Sequence, residues 1–164
     1  MGSLTPAVWT VPATKYHARE LGRTMRPEDA REVWASGHMM PEQAVRASIN
    51  RTPGARAAYC VGGLLAVYGV TLLPTGWAVP WVLTTTTVER YPLEFWQASK
   101  AALREFRDQY PQMVQMVHAH YDASLRWLCR LGFTIEMPEP FGVAGEMFCR
   151  VSLLTPKIVR CSDV

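Results

Sequence analysis

Residues 57–88 read AAYCVGGLLAVYGVTLLPTGWAVPWVLTTTTV, 32 positions without an Asp, Glu, Lys or Arg. A run so free of charge is either a membrane span or the inside of a sheet. A transmembrane helix needs about 20 continuous apolar residues. Gly62-Gly63, Pro74-Thr75-Gly76 and Pro80 cut this run into pieces of roughly 5 to 10 residues, which is strand length. The pieces are rich in Val, Leu, Tyr, Trp and Thr, residues that pack well on a pleated surface. They read as consecutive buried strands: 57–61, a hairpin turn at Gly62-Gly63, 64–73, and then 77–85.

The rest of the composition agrees with a packed interior. The chain has 164 residues, of which 49% are apolar and 19% charged, a charged share below the roughly 25% usual for globular domains. This excludes a disordered chain, a coiled coil and a collagen-like fibre, and the length suits one domain over residues 1–164 with one sizeable core. A net charge of +3 from 17 basic and 14 acidic side chains is too small for an electrostatic nucleic-acid platform. Arg19, Arg23, Arg26 and Arg31 cluster, but Glu20, Glu28, Asp29 and Glu32 are interleaved with them, the pattern of a solvated helix face. Cys60, Cys129, Cys149 and Cys161 are widely spaced with no Cys-x-x-Cys pair. With no export signal in view they read as reduced thiols of a cytoplasmic protein, and no metal site is expected.

Around the uncharged window the pattern alternates. A short strand at 8–11 precedes a helix at 16–25, a second helix opened by Pro27 and closed near Gly37, and a third opened by Pro41. After the window, Pro92 starts the longest helix, with Phe95, Ala98, Ala102, Leu103 and Phe106 at helical spacing. A strand at 113–119 leads to a helix with Asp122 as its N-cap and Gly132 as its left-handed close, with Phe133 able to pack back on it. Strands at 134–137 and 146–153 end the list. The order is that of an α/β chain (an α+β mixed sheet) of about six or seven strands flanked by helices.

The sequence resembles the GNAT acyltransferase superfamily in this order of elements and in Ser124-Leu125-Arg126-Trp127-Leu128-Cys129-Arg130-Leu131-Gly132-Phe133, which is similar to the superfamily's late helix ending in Leu-Gly-Phe. Residues 27–37, Trp81-Val82-Leu83-Thr84-Thr85, 88–95 and Tyr110-Pro111 are similar to a group of phage-encoded GNAT-like proteins, some of them internal-virion-protein-like. The resemblance implies a GNAT-like fold in which the fourth and fifth strands splay apart and acetyl-CoA, the cosubstrate, lies in the gap. The implied cofactor positions are Leu83, Thr84, Thr85, Arg90, Tyr91, Leu93, Ser99 and Ser124. Ser99 and Ser124 serve equally as small residues at close helix–sheet contacts.

Two departures from the superfamily stand out. No glycine occurs between Gly76 and Gly132, so the usual glycine-bearing phosphate loop is missing and Pro92 stands at its end without an N–H. Leu128 takes the place where many GNAT enzymes have a tyrosine acid, and Tyr121 the place of a common asparagine. Transfer to an amine also needs a base, because an ammonium has no lone pair to attack a thioester. The catalytic candidates are Glu89, His120 and Tyr121, with His118 sharing a strand face with His120. Cys60 and Cys129 read as buried filler. The implied function is N-acetyl transfer to an amine, most simply a lysine of a host protein in the host cytoplasm, by a monomer or homodimer without nucleic-acid or membrane partners. The alternative is a GNAT-like binding or virion-associated protein that has lost catalysis.

Overall fold

A computed structural model describes residues 7–155. Thirteen elements follow one another: β1 (Val8–Pro12), α1 (Lys15–Thr24), α2 (Pro27–Gly37), α3 (Pro41–Arg51), β2 (Arg56–Cys60), β3 (Gly63–Leu72), β4 (Ala78–Thr84), α4 (Thr87–Arg90), α5 (Pro92–Gln109), β5 (Gln112–His118), α6 (Asp122–Arg130), β6 (Thr134–Phe141) and β7 (Glu146–Leu154). Seven strands form one sheet in the order β1-β2-β3-β4-β5-β7-β6. Neighbours are antiparallel except β4 and β5, which run parallel. The uncharged window is therefore β2, β3 and β4, the centre of the sheet. Among the described residues, no helix is long and apolar enough to cross a membrane.

The β4–β5 pair decides the architecture. Its partners β3 and β7 are paired along most of their lengths, yet β4 and β5 share a single pairing, Ala78 with Met113. Beyond it the strands diverge toward their C-terminal ends, Thr84 and His118. Parallel strands need a crossover, and α4 with α5 supplies it.

Three groups of buried side chains hold the layers. Leu21, Met25 and Val45 of the early helices meet Leu64, Val67 and Leu83 of the sheet. Cys60, Leu65 and Ala66 meet Val88, with Tyr91 and Phe95 alongside. Ala78, Met113, Val117, Val151 and Leu153 meet Tyr121, Leu128 and Phe133, with Leu103, Phe106 and Trp127 packed against them. The apolar stripe of α5 is half-buried, and none of its residues is fully covered.

Four local expectations need correction. The hairpin turn is Val61-Gly62, and Gly63, at φ 110°, already belongs to β3. Asp122 is the first residue inside α6, the cap position being Tyr121 without a capping side chain. There Asp122 still opposes the positive end of the helix. Helix α2 closes on His38 in the left-handed region, φ 51°, rather than on a glycine. Cys129 is exposed, whereas Cys60 and Cys149 are buried; one position past the buried Leu128, it turns out of the core to the solvent side of α6. Cys161 lies outside the described residues. Gly132 is left-handed as expected, φ 101°, and Phe133 donates its N–H to Leu128 and is buried beside it.

Candidate functional site

At the open end of the splay, α2 presents two carboxyls to the two diverged strands. Asp29 is buried, and its Oδ2 accepts the backbone N–H (2.6 Å) and hydroxyl (2.6 Å) of Thr84 at the end of β4. Its Oδ1 accepts the hydroxyl of Tyr121, 2.7 Å away, just past the end of β5. One turn on, Glu32 accepts the backbone N–H of His118 at 2.9 Å. Of the four acids read as part of a solvated face, Asp29 and Glu32 are thus turned inward, while Glu20 is exposed. Asp29 lies four residues before the buried Val33, so the helical period put it on the apolar stripe; that was the one available signal, and charge interleaving masked it.

Burial raises the pKa of both carboxyls. For Asp29, loss of solvent outweighs the Thr84 and Tyr121 hydrogen bonds and the nearby Arg26. For Glu32, loss of solvent outweighs the His118 N–H and is reinforced by Asp29, pushing it up to about 7. The Tyr121 phenol is pushed up from the usual tyrosine value, first by burial and then by the Asp29 carboxylate.

A second set of contacts closes the other side. His118 Nδ1 accepts the N–H of His120 at 3.2 Å, so the ring proton sits on Nε2, 2.5 Å from Glu146 Oε2 at the start of β7. Both nitrogens of His118 are engaged, which makes it a pin between β5 and β7. His120 is exposed, with its ring 5.7 Å from that of His118. Beyond them the tip of the β6–β7 hairpin docks on the end of α2, Val143 and Ala144 donating their N–H groups to Ser36 and Ala35. Gly142, at φ 74°, would bring a Cβ to 2.7 Å from Ser36 Cα. Gly142→Ala is therefore expected to lose about 1–3 kcal/mol and to speed hydrogen exchange at Val143 and Ala144, measured by urea unfolding and amide exchange.

Of the three catalytic candidates, Tyr121 lies between the other two. Glu89 on α4 is 3.3 Å from Arg26 Nε, and the Arg26 guanidinium lies 5.7 Å from the centre of the Tyr121 ring. His120 and Tyr121 line a recess of about 10 Å³ together with Glu28, Arg31 and His118. Glu89 and His120 are exposed, whereas Tyr121 is buried with its proton committed to Asp29. Glu89 belongs to a one-turn helix that the threonine tract concealed.

In sequence, no family model matches the chain and no curated protein matches it. In structure, neighbours cover nearly the whole chain. Ard1 from Thermoplasma volcanium superimposes with a TM-score of 0.69 at 12% identity, covering 92% of this chain and 99% of that one. RimL, a ribosomal L7/L12 α-N-protein acetyltransferase solved with coenzyme A, gives 0.65 at 11% identity, covering 93% and 96%. The ribosomal-protein-S18-alanine N-acetyltransferase from Escherichia coli gives 0.62 at 10%, covering 93% and 99%. The fold is that of the GNAT acyl-CoA N-acyltransferases.

Within the GNAT fold the implied cofactor positions lie at the C-terminal end of β4 and on α4, α5 and α6. Leu83 and Thr84 end β4, and Thr85 is buried with its hydroxyl on the Leu64 carbonyl, 2.5 Å away. Arg90 and Leu93 are exposed at the α4–α5 junction, and the Tyr91 ring packs against Gly62, which has no room for a side chain. Ser99 bonds its own helix at Phe95, 2.6 Å, which favours its reading as a close-contact residue. Ser124 is half-buried in the first turn of α6.

Three observations fit an acyl-CoA arm in the gap. The strands are open beyond Ala78. The Gln115 amide bridges the opening, its Nε2 3.0 Å from the Pro80 carbonyl, so that edge can accept an amide N–H. Trp127, stacked on Phe95 at 5.4 Å between α5 and α6, has a buried indole N–H with no partner. At the phosphate end, the N–H groups of Glu89 and Tyr91 are already donated to Thr86 and Thr87, and Pro92 has none. The groups left open there are the first-turn amides of Leu93 and Glu94, which lack intrahelical acceptors, and the exposed Arg90 side chain.

Proposed function

We propose that the protein is an acetyl-CoA-dependent N-acetyltransferase acting on an amine by direct attack on the thioester. The observation that carries this reading is the mouth of the β4–β5 splay, where the Tyr121 ring lies under Arg26, Arg26 pairs with Glu89, and His120 shares a small recess with Tyr121 and Glu28. Acetyl-CoA, when bound, supplies the activated acetyl group. Leu83 on β4, the Phe95–Trp127 pair and the α5 N-terminus with Arg90 are the groups that hold it, whereas Thr84 has its N–H and hydroxyl on Asp29 and its carbonyl on the Arg26 N–H. Glu89 or His120, both open to solvent, takes the proton from the acceptor ammonium and leaves a nitrogen lone pair free to attack. Glu28, beside His120 in the recess, attracts that ammonium.

The acceptor we favour is a lysine of a host protein, because the sequence has no obvious acidic cluster for a polyamine or aminoglycoside; the origin we favour is a phage genome, which the sequence resemblance supports. The alternative, a GNAT-like binding or virion-associated protein without catalysis, is favoured by Leu128, whose side chain is buried in the core where many such enzymes place a tyrosine.

Acetyl-CoA at 100 times its dissociation constant is expected to add about 2.7 kcal/mol of stability, an upward Tm shift of roughly 5–10 °C for a chain of this size. Labelled acetyl-CoA with host lysate is expected to label protein lysines. Binding without labelled product would favour the inactive alternative, and neither binding nor product would sink the transferase reading.

A further inference from the structure

We propose that Asp29 is the positioning residue of this transfer site, acting through Tyr121: its single carboxylate spans the mouth of the splay and fixes where the β4 end, the Tyr121 ring and Arg26 sit. This rests on the transferase reading. The placement is unusual in what it joins. Oδ2 takes both donors of Thr84, the last residue of β4, and Oδ1 takes the Tyr121 hydroxyl at the exit of β5. Since β4 and β5 do not pair there, the carboxylate does the bridging that a strand ladder does elsewhere.

The same residue sets the next layer. With its proton donated to Asp29, the Tyr121 phenol stays neutral and its ring is held under the Arg26 guanidinium. Arg26 is fixed at its backbone by donating its N–H to the Thr84 carbonyl, and its side chain is ion-paired with Glu89 at 3.3 Å and Glu28 at 3.9 Å. The chain Asp29–Tyr121–Arg26–Glu89 therefore places the exposed carboxylate of Glu89 at the rim. Asp29 itself is buried with both oxygens taken by protein donors, so it acts by placement.

The direction of one hydrogen bond makes this testable. In Asp29→Asn an amide N–H can face the Tyr121 oxygen, which then accepts instead of donating, and the negative charge beside the phenol is gone. The expected result is a kcat about 100-fold lower with an almost unchanged KM for acetyl-CoA, the scale of a small misplacement at a reacting centre. In a Tyr121→Phe background the same Asp29→Asn change is expected to cost less than about threefold, because the two act as one unit. An undiminished cost there, or a loss carried entirely by KM, overturns the proposal.

A readout independent of activity is the Tyr121 phenolate, obtained as the near-ultraviolet difference titration between the protein and its Tyr121→Phe variant. It is expected to ionise above the ordinary tyrosine value of about 10 and to fall toward that value in Asp29→Asn. An ordinary value in the unaltered protein overturns the proposal even if Asp29→Asn does not fold. Absence of acetyl transfer and of acetyl-CoA binding in the unaltered protein would instead refute the transferase reading, with the phenolate titration still deciding the Asp29–Tyr121 coupling.

Discussion

Phe148→Ala is expected to lower unfolding stability by about 3–5 kcal/mol, the range for deleting a buried phenylalanine ring. Phe148 is fully buried in β7, opposite His118 in the β5–β7 register and Glu139 in the β6–β7 register. Its ring meets the His118 ring edge to face at 5.1 Å and the Phe141 ring at 5.2 Å. The cavity would open directly beneath the His118–Glu146 contact, so its effect reaches the site. Urea unfolding gives the stability loss, and the His118 imidazole resonances report whether the ring stays pinned. A loss under about 1 kcal/mol would mean that Phe141 and the hairpin collapse into the space, and that the hairpin is much softer than its contacts with Ser36 and Ala35 suggest.

The elements carrying periodic apolar pattern were legible in the sequence. The uncharged window became β2, β3 and β4, and the Leu-Gly-Phe run became α6 with its glycine exit, because burial on both faces and a left-handed close each leave a compositional mark. What was illegible shares a different cause. The helix α4 is one turn long, too short to show a period. Asp29 and Glu32 read as solvated from sequence because a charged side chain ordinarily stays exposed. Their burial is sustained by donors far away in the chain: Thr84, His118 and Tyr121 lie 55 to 92 residues on. No local window contains both a buried acid and the amide that satisfies it. The candidate site was accordingly half visible: Glu89, His120 and Tyr121 stood out as titratable or aromatic residues at strand ends, while the carboxyls that organise them did not.

Glu32 makes the sharpest pH prediction. Its folded pKa of about 7 stands above the ordinary 4.5, so between these values the folded protein holds a proton that the unfolded chain has lost. Stability contributed by this group therefore falls as pH rises from about 4.5, and the penalty is complete above about 7. A difference of roughly 2.5 pH units corresponds to at most about 3 kcal/mol. The facing groups are Asp29, which acts in the same direction, the backbone N–H of His118, which opposes it, and the His118–Glu146 pair behind it, with Arg26, Glu28 and Arg31 on the same helix and its lead-in. Glu32→Gln keeps an oxygen for the His118 N–H and removes the ionisation. Near pH 8 the variant is expected to be more stable than the parent by up to about 3 kcal/mol, and near pH 4 the two are expected to coincide. Denaturant unfolding of both proteins across that range measures the difference. A variant that is less stable than the parent at pH 8 would mean that ionised Glu32 is held there by favourable contacts, and that the α2 acids bind the strand ends as a charged pair rather than against the resistance of burial.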